Sequence, residues 1–333
     1  TCRLARIDTI VIGASAGGVE AISTVIAGLP SDLPAAVFVV LHVPEGSPSM
    51  MPAILNRQGA LAASHPHDQE PMEMGRIYVA RPGYHMLLKR DTIRLVAGPK
   101  ENGNRPAIDP LFRTAARSRG PSVVGVLLTG MLDDGTLGMN SVRQHGGITI
   151  AQDPETAYFG DMPRNAIRAG AAHHVLPLEE IASRLVQLVT QPNETDWEAY
   201  DYLDATEMTL DQLRNLETQG RPSPFVCPEC SGTLFELQED GYTYYRCHVG
   251  HAYSVETLDA KQEEGLEAAM WTALRAIEEH NMLLHRLLER SEGRGMAISV
   301  ANYRSRLAEG AQKAAIIRNA LETQQEPHER IAD

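Results

Sequence analysis

Val11-Ile-Gly-Ala-Ser-Ala-Gly-Gly-Val-Glu20, VIGASAGGVE, lies between an apolar run, IDTIVIG (7–13), and a segment of helical periodicity, GVEAISTVIAGLP. A glycine-rich turn between a strand and a helix either cradles a phosphate or bends a side chain into reach of a substrate. The dinucleotide version has the form G-x-G-x-x-G, with an acidic residue near the end of the second strand to hold a ribose. Here Gly13 and Gly18 fit the outer positions, but Ser15 replaces the central glycine, and the second apolar run, AAVFVVLH (35–42), ends in His42. The Gly-Lys-Ser/Thr ending of a phosphate loop is also missing. What remains is Gly13-Ala14-Ser15-Ala16-Gly17, a G-x-S-x-G turn whose small residues leave room around a serine hydroxyl. In α/β-hydrolases that turn follows several strands; this one follows the first.

Outward from the turn, further short apolar runs follow: RIYVARPG (76–83), SVVGVLLTG (122–130) and GITIAQD (147–153). Nearly continuous Val/Ile/Leu suits strands buried on both faces, and intervening segments such as DPLFRTAARSRG suit crossover helices. The pattern predicts a doubly wound α/β fold: a mostly parallel sheet with helices on both faces, in three layers. HMLLKRDTIRLVAG (85–98) alternates around a polar KRDT and predicts a hairpin appended to that sheet. AAHHVLPLEEIASRLVQLVTQ predicts a last short strand and a helix from about Pro177.

At 333 residues, the chain exceeds the ~250–300 residues at which single cores stop growing, so two units are expected. Its composition, 43% hydrophobic and 22% charged, is that of a soluble protein. No run reaches the ~18 apolar residues of a membrane span, and no signal peptide is evident at the start, so a cytoplasmic location is expected. Residues 1–190 carry 17 basic and 17 acidic residues, so the net charge of −13 falls entirely after residue 190. That distribution argues against nucleic acid as a partner, because nonspecific binding needs a basic face.

In sheets of this class the C-terminal strand ends share one rim, where ligands bind. Ser15 follows the first strand, His42 ends the second, and LLTGMLDDGTLGM places Asp133 and Asp134 just past a later one. A serine hydroxyl needs a histidine to take its proton, and the imidazole needs a carboxylate to fix its tautomer. Singly, each has a plainer reading: Ser15 as a helix cap, His42 as a strand-end histidine, Asp134-Gly135 as a turn. Their joint placement on one rim favours catalysis. His65, His67, His173 and His174 lack such company and are expected to be structural, and Arg105, Asp109 and Arg113 to tie a helix to the sheet.

With IGASAGG, LHVPEG, ENGNRPAIDPLFRTAA, LLTGMLDDGTLGM and AQDPETAYFGDMPRNAI in that order over about residues 7–190, the chain resembles the chemotaxis-type protein-glutamate methylesterases, bacterial enzymes that demethylate glutamate methyl esters on chemoreceptors. The resemblance implies that Ser15 is the nucleophile, His42 the general base and acid, and Asp134 the residue that orients His42. It also implies that the backbone amides of Ala16 and Met131 bind the oxyanion, and that glutamine deamidation is a companion activity. No metal or organic cofactor is needed for such catalysis. The family usually reads Gly-Asn-Asp-Gly where this chain has Leu132-Asp133-Asp134-Gly135, which makes Asp133 an extra carboxylate. Family members commonly carry an N-terminal receiver domain, which the chain as given lacks, so regulation is expected from elsewhere. The implied partner is a methylated chemoreceptor or other signalling protein, with the enzyme only peripheral to receptor membranes. The alternative is a signalling scaffold of esterase fold acting through its C-terminal modules; an esterase for another small ester is a third reading.

Beyond residue 190 the text changes. The expected organisation is a catalytic domain over 1–190, an acidic linker with a short helix over 191–222, a ribbon over 223–256 and a helical hairpin over 257–325. Cys227-x2-Cys230 and Cys247-x3-His251 have the ligand types and spacing of a closed, structural zinc site, with His248 as the rival fourth ligand and reduced thiols or a redox pair as the alternative reading. TLFELQEDGYTYYR predicts two short strands around a turn, too small a core to fold without metal; Cys2 is left over. Met270, Leu274, Ile277, Leu284 and Leu288 recur at helical spacing, as do Tyr303, Leu307, Ala314, Ile317 and Leu321, around a break at SEGRG (291–295). An antiparallel pair of helices follows, and with it a surface for homo-oligomerisation.

Overall fold

A computed structural model of the chain describes residues 5–44, 46–190, 192–193, 207 and 220–325. Most of the expected linker, 191–222, and Cys2 lie outside the described residues. Two compact units result, Thr1–Leu258 and Asp259–Asp333.

The first unit opens with β1 (Ala5–Arg6) and then runs β2 (Thr9–Ala14), α1 (Gly18–Ala27), β3 (Ala36–Leu41), α2 (Met51–Gln58), β4 (Ala62–Ser64), β5 (Glu70–Pro71) and β6 (Arg76–Val79). It continues with β7 (His85–Lys89), β8 (Thr92–Val96), α3 (Ile108–Arg119), β9 (Val123–Leu127), α4 (Thr136–Gln144), β10 (Ile148–Gln152), α5 (Asp161–Arg168), β11 (His174–Leu176), α6 (Leu178–Thr190) and β12 (Pro192–Asn193). Seven strands form one parallel sheet in the order β11-β10-β9-β2-β3-β6-β4. This is the doubly wound α/β architecture, and the chain order reverses at β2, which lies between β3 and β9.

Period-two alternation divides β2 between two cores. Ile10 and Ile12 pack with Ile22, Val25 and Ile26 of α1 and with Ile181 and Leu185 of α6. Val11 packs on the other face with Phe38, Ile108, Leu111, Phe112 and Met139. Gly13 has no side chain on that second face because a Cβ there would stand 2.5 Å from Ile108 Cγ2. The turn's glycine thus lets α3 lie directly against the strand.

Two expectations need correction. The predicted hairpin, β7 and β8, does not extend the main sheet; it pairs with β5 in a separate three-stranded sheet, β5-β8-β7, and buries Met86, Leu88 and Ile93 against the α3 side. Its alternating pattern has one apolar face to cover, and a layer packed over a helix does so without joining the ladder. The ribbon is also larger than two strands. Antiparallel β13 (Arg221–Val226), β14 (Thr233–Glu239), β15 (Tyr242–Cys247) and β16 (Ala252–Ser254) form a four-stranded sheet. The polar, proline-bearing β13 and the short β16 carry too little apolar periodicity to signal strands.

The ribbon sits on the α/β body. Asn102 N donates to Ala252 O at 2.8 Å, and Ala252 N to Lys100 O at 3.2 Å. Glu101, 3% exposed, is shared between Arg113 of α3 at 2.9 Å and Arg246 of β15 at 2.8 Å. Burial pushes the Glu101 carboxyl upward, but the two guanidiniums outweigh it and hold it well below the usual range.

The helix α7 (Val255–Glu292) begins at the ribbon's last strand, and α8 (Ala297–Gln325) follows after a turn. In the second unit, Met270, Leu274 and Ile277 of α7 pack with Ala314, Ile317 and Leu321 of α8 as an antiparallel pair. Among the described residues no helix is long and apolar enough to cross a membrane.

Candidate active site

Ser15 stands in the turn after β2, His42 directly after β3 and Asp134 in the loop after β9. Adjacent parallel strands β3, β2 and β9 therefore deliver all three to one rim. His42 Nδ1 lies 3.1 Å from Ser15 Oγ, and His42 Nε2 lies 2.7 Å from Asp134 Oδ2. With the Nε2 proton donated to Asp134, the Nδ1 lone pair faces the serine hydroxyl. The ring nitrogens exchange the positions they hold in the chymotrypsin-type triad, but the proton inventory is the same.

The plainer reading of Ser15 as a helix cap does not apply. Gly17, at φ +74°, is the N-cap of α1, and no side chain caps it; its left-handed backbone is one that glycine adopts without strain. Ser15 N donates to Thr129 O at 3.0 Å, and Thr129 Oγ1 donates to Ala16 O at 3.0 Å, so the β9 loop grips the turn from both sides of the serine. Thr129 N in turn donates to Gln152 Oε1 at 3.0 Å. Among the described residues, the Ala16 and Met131 backbone N–H groups have no protein acceptor. Two clefts open here, one of about 340 Å³ along His42, Lys100 and Arg105, and one of about 700 Å³ from Gly17 and Thr129 to Tyr158.

Asp134 is buried. Its Oδ2 also accepts Ile108 N at 2.7 Å, and its Oδ1 accepts Asn102 Nδ2 at 3.0 Å and Asp109 N at 3.3 Å. Burial raises its pKa, but the bond to His42, the imidazole's charge and the donors from Ile108 and Asn102 reverse this, leaving it below the ordinary value. Asp109 behaves oppositely. Burial and the neighbouring Asp134 push it well above the ordinary range, against Arg113 and the Gly138 amide. Its Oδ1 accepts Gly135 N at 3.0 Å and Gly138 N at 2.7 Å, tying α3 to the start of α4. Two adjacent buried carboxyls separated in this way leave the charge on Asp134.

Asp133 points elsewhere. Its Oδ1 accepts the Ser254 hydroxyl at 2.7 Å and the Thr257 hydroxyl at 2.8 Å, at the ribbon's end and the first turn of α7. Burial pushes it up to about 7, with Glu256 adding to the rise and the two hydroxyls opposing it.

In the ribbon, single ligand atoms of Cys227, Cys230, Cys247 and His251 lie within 4.8 Å of one another. Cys230 Sγ is 3.7 Å from Cys247 Sγ, and His251 Nδ1 is 3.7 Å from Cys227 Sγ and 3.6 Å from Cys247 Sγ. A tetrahedral zinc with Zn–S of about 2.3 Å and Zn–N of about 2.0 Å has edges of about 3.5–3.8 Å, so the donor set fits that ion. His251, not His248, completes the cluster; His248 lies against Gly232, where a Cβ would be 2.8 Å from its ring.

Sequence reasoning missed Asn102, Thr129 and Gln152. They lay inside stretches already singled out, but short polar residues in such loops look like turn formers.

The family described as CheB methylesterase matches residues 10–185. A Methanosarcina mazei protein named protein-glutamate methylesterase/protein-glutamine glutaminase 2 is 36% identical over 190 residues, 55% of this chain and 52% of that one. An Anaeromyxobacter dehalogenans protein of the same name is 39% identical over 186 residues, 56% of this chain and 54% of that one. The crystal structure of the Thermotoga maritima CheB methylesterase catalytic domain is similar with a TM-score of 0.53 and 34% identity, covering 55% of this chain and 98% of that one. The chain thus spans about half the length of the first two relatives, and the family match ends before the ribbon and the hairpin.

Proposed function

Because this chain belongs to the CheB methylesterase family, we propose that it is a serine hydrolase of protein carboxyl methyl esters, acting on glutamate γ-methyl esters of chemoreceptors or related signalling proteins. The observation that carries this is one imidazole, His42, within 3.1 Å of the Ser15 hydroxyl and 2.7 Å of the Asp134 carboxylate.

In this reading Ser15 Oγ attacks the ester carbonyl as His42 Nδ1 takes its proton. Asp134, kept anionic, stabilises the imidazolium through Nε2–H. The uncommitted Ala16 and Met131 N–H groups receive the developing oxyanion, an interaction typically worth about 3–4 kcal/mol per donor. Collapse expels methanol, which leaves with the proton from His42. Water then attacks the acyl-enzyme, giving its proton to His42, and Ser15 recovers it as the free glutamate departs. A glutamine side chain follows the same course with ammonia as the leaving group, which supports the companion deamidase activity.

Cys227, Cys230, Cys247 and His251 would hold a structural zinc. Held there, it would tie the loop after β13 to the end of β15 and the residue before β16, a structural role away from the ester.

Methanol release from methylated receptor membranes tests the reading. Ser15→Ala should fold normally and lower the rate by a factor of about 10³ or more, and a fluorophosphonate probe should label Ser15 in the wild type. Near-normal release by Ser15→Ala refutes it.

A further inference from the structure

Asn102 stands where the α/β body, the triad and the ribbon meet. It is 7% exposed and has φ +50°. Its Nδ2 donates to Asp134 Oδ1 at 3.0 Å and to Asp109 Oδ2 at 3.1 Å, using both amide hydrogens on two buried carboxyls. Its Oδ1 accepts the backbone N–H of Ser254, at the end of ribbon strand β16, at 2.9 Å.

A side-chain amide has two ends of nearly equal shape and opposite hydrogen-bonding sense. Turned over, Asn102 would aim an oxygen at the anionic Asp134 carboxylate and lose that bond in a buried site, a costly arrangement. The Ser254 N–H opposes that, because it accommodates only the oxygen. The backbone beneath is held by the same strand: Asn102 N donates to Ala252 O, and Arg246 anchors β15 on Glu101, the residue just before Asn102. A ribbon 150 residues further along the chain therefore reaches the carboxylate that holds His42.

We propose that Asn102 is a positioning residue of the esterase and that the ribbon, through the Ser254 N–H, sets the orientation of its amide, so that the site is complete only with the ribbon docked. The inference rests on the triad reading above. Without the Asn102 donor, Asp134 Oδ1 keeps only the longer Asp109 N–H bond, and the carboxylate turns about its Ile108 contact. Nε2 of His42 follows it. Misplacement of a catalytic group by about 1 Å costs roughly a hundredfold.

The test uses the full chain and a soluble peptide bearing a glutamate γ-methyl ester. Asn102→Ala should lower kcat by about tenfold to a hundredfold with KM changed by less than about twofold, since Asn102 does not touch substrate. Ser254→Pro removes the N–H and should give a comparable loss. Ser254→Ala keeps the N–H while removing the hydroxyl that donates to Asp133 and accepts Thr257 N, and its loss should be clearly smaller than that of Ser254→Pro. The double variant Asn102→Ala/Ser254→Pro should be no slower than Asn102→Ala, because both break one connection.

Independently of turnover, the downfield proton resonance of the His42 Nε2–H···Asp134 bond should shift or broaden in Asn102→Ala and Ser254→Pro and persist in Ser254→Ala. Should Ser254→Pro fail to fold, Arg246→Met, which unhooks the ribbon from Glu101, takes its place. Losses that multiply in the double variant, Ser254→Pro at more than about half of wild-type kcat, or an unchanged resonance in Asn102→Ala each overturn the proposal. A shifted resonance together with hydrolysis that survives Ser15→Ala overturns the triad reading and Asn102's role in the esterase, and leaves standing only the ribbon's hold on the His42–Asp134 bond.

Discussion

Strand β2 of the body, TIVIGA, has all six residues buried, whereas the ribbon's longest strand, β14, TLFELQE, buries Leu234 and Leu237 alone. The body is held by apolar area on both faces of its sheet, with each fully buried Ile or Val contributing about 1.5–3 kcal/mol relative to exposure. The ribbon has two small clusters, one around Leu234, Tyr253 and Leu258 and one around Leu237, Tyr244 and Ala252, supplemented by polar docking through Glu101, Asn102 and Asp133 and by four convergent side chains that could hold a metal ion. Burial tolerates small losses at many positions; ligation and docking concentrate the consequence in a few atoms.

Breaking the metal cluster should separate the two regions most sharply. Cys227→Ser, or zinc removal by chelator, withdraws a binding energy of order 10 kcal/mol in comparable sites. Hydrogen exchange in 221–254 should then approach that of unfolded chain while β2, β3 and β9 stay protected. Less than about half a zinc per chain in protein purified without chelator would remove the basis for the metal.

Leu185→Ala asks the reverse question. Leu185 is fully buried between α6 and the sheet, and truncation should cost the body about 2–5 kcal/mol in denaturant unfolding, with zinc content unchanged.

The smallest effect lies at the seam. Asp133, pushed up to about 7, keeps its proton in the folded protein where the unfolded chain has released it near pH 4. The folded state therefore binds the extra proton between about pH 4 and 7. The stability this gives is complete below pH 4 and is lost as pH rises through 7. Asp133→Asn should match wild type near pH 4 and exceed it by roughly 1–3 kcal/mol at pH 8, measured as melting temperature across that range. A constant difference at all pH values would show that the carboxyl titrates normally.

The catalytic candidates were legible because each follows a strand whose apolar run is unmistakable, and a parallel sheet gathers strand ends automatically. By position alone Asp133 and Asp134 are equivalent, and only the family resemblance singles out Asp134 for His42. The structure separates them, since successive residues in the loop after β9 face opposite ways, one toward His42 and one toward Ser254. Asn102 was illegible for a related reason: its partners, Asp109, Asp134 and Ser254, lie 7, 32 and 152 residues away, and no periodicity links them.

By itself the sequence determined the alternation of buried strands and amphipathic helices, the serine turn and the spacing of the thiols, because each follows from local sterics and the separation of apolar from polar residues. Only the tertiary structure decided where the extra carboxylate of Asp133 goes, that His251 rather than His248 joins the three cysteines, and that the ribbon closes over Asn102. Those outcomes depend on directional contacts a few ångströms long between segments far apart in the chain, and such contacts exist only once the layers have packed.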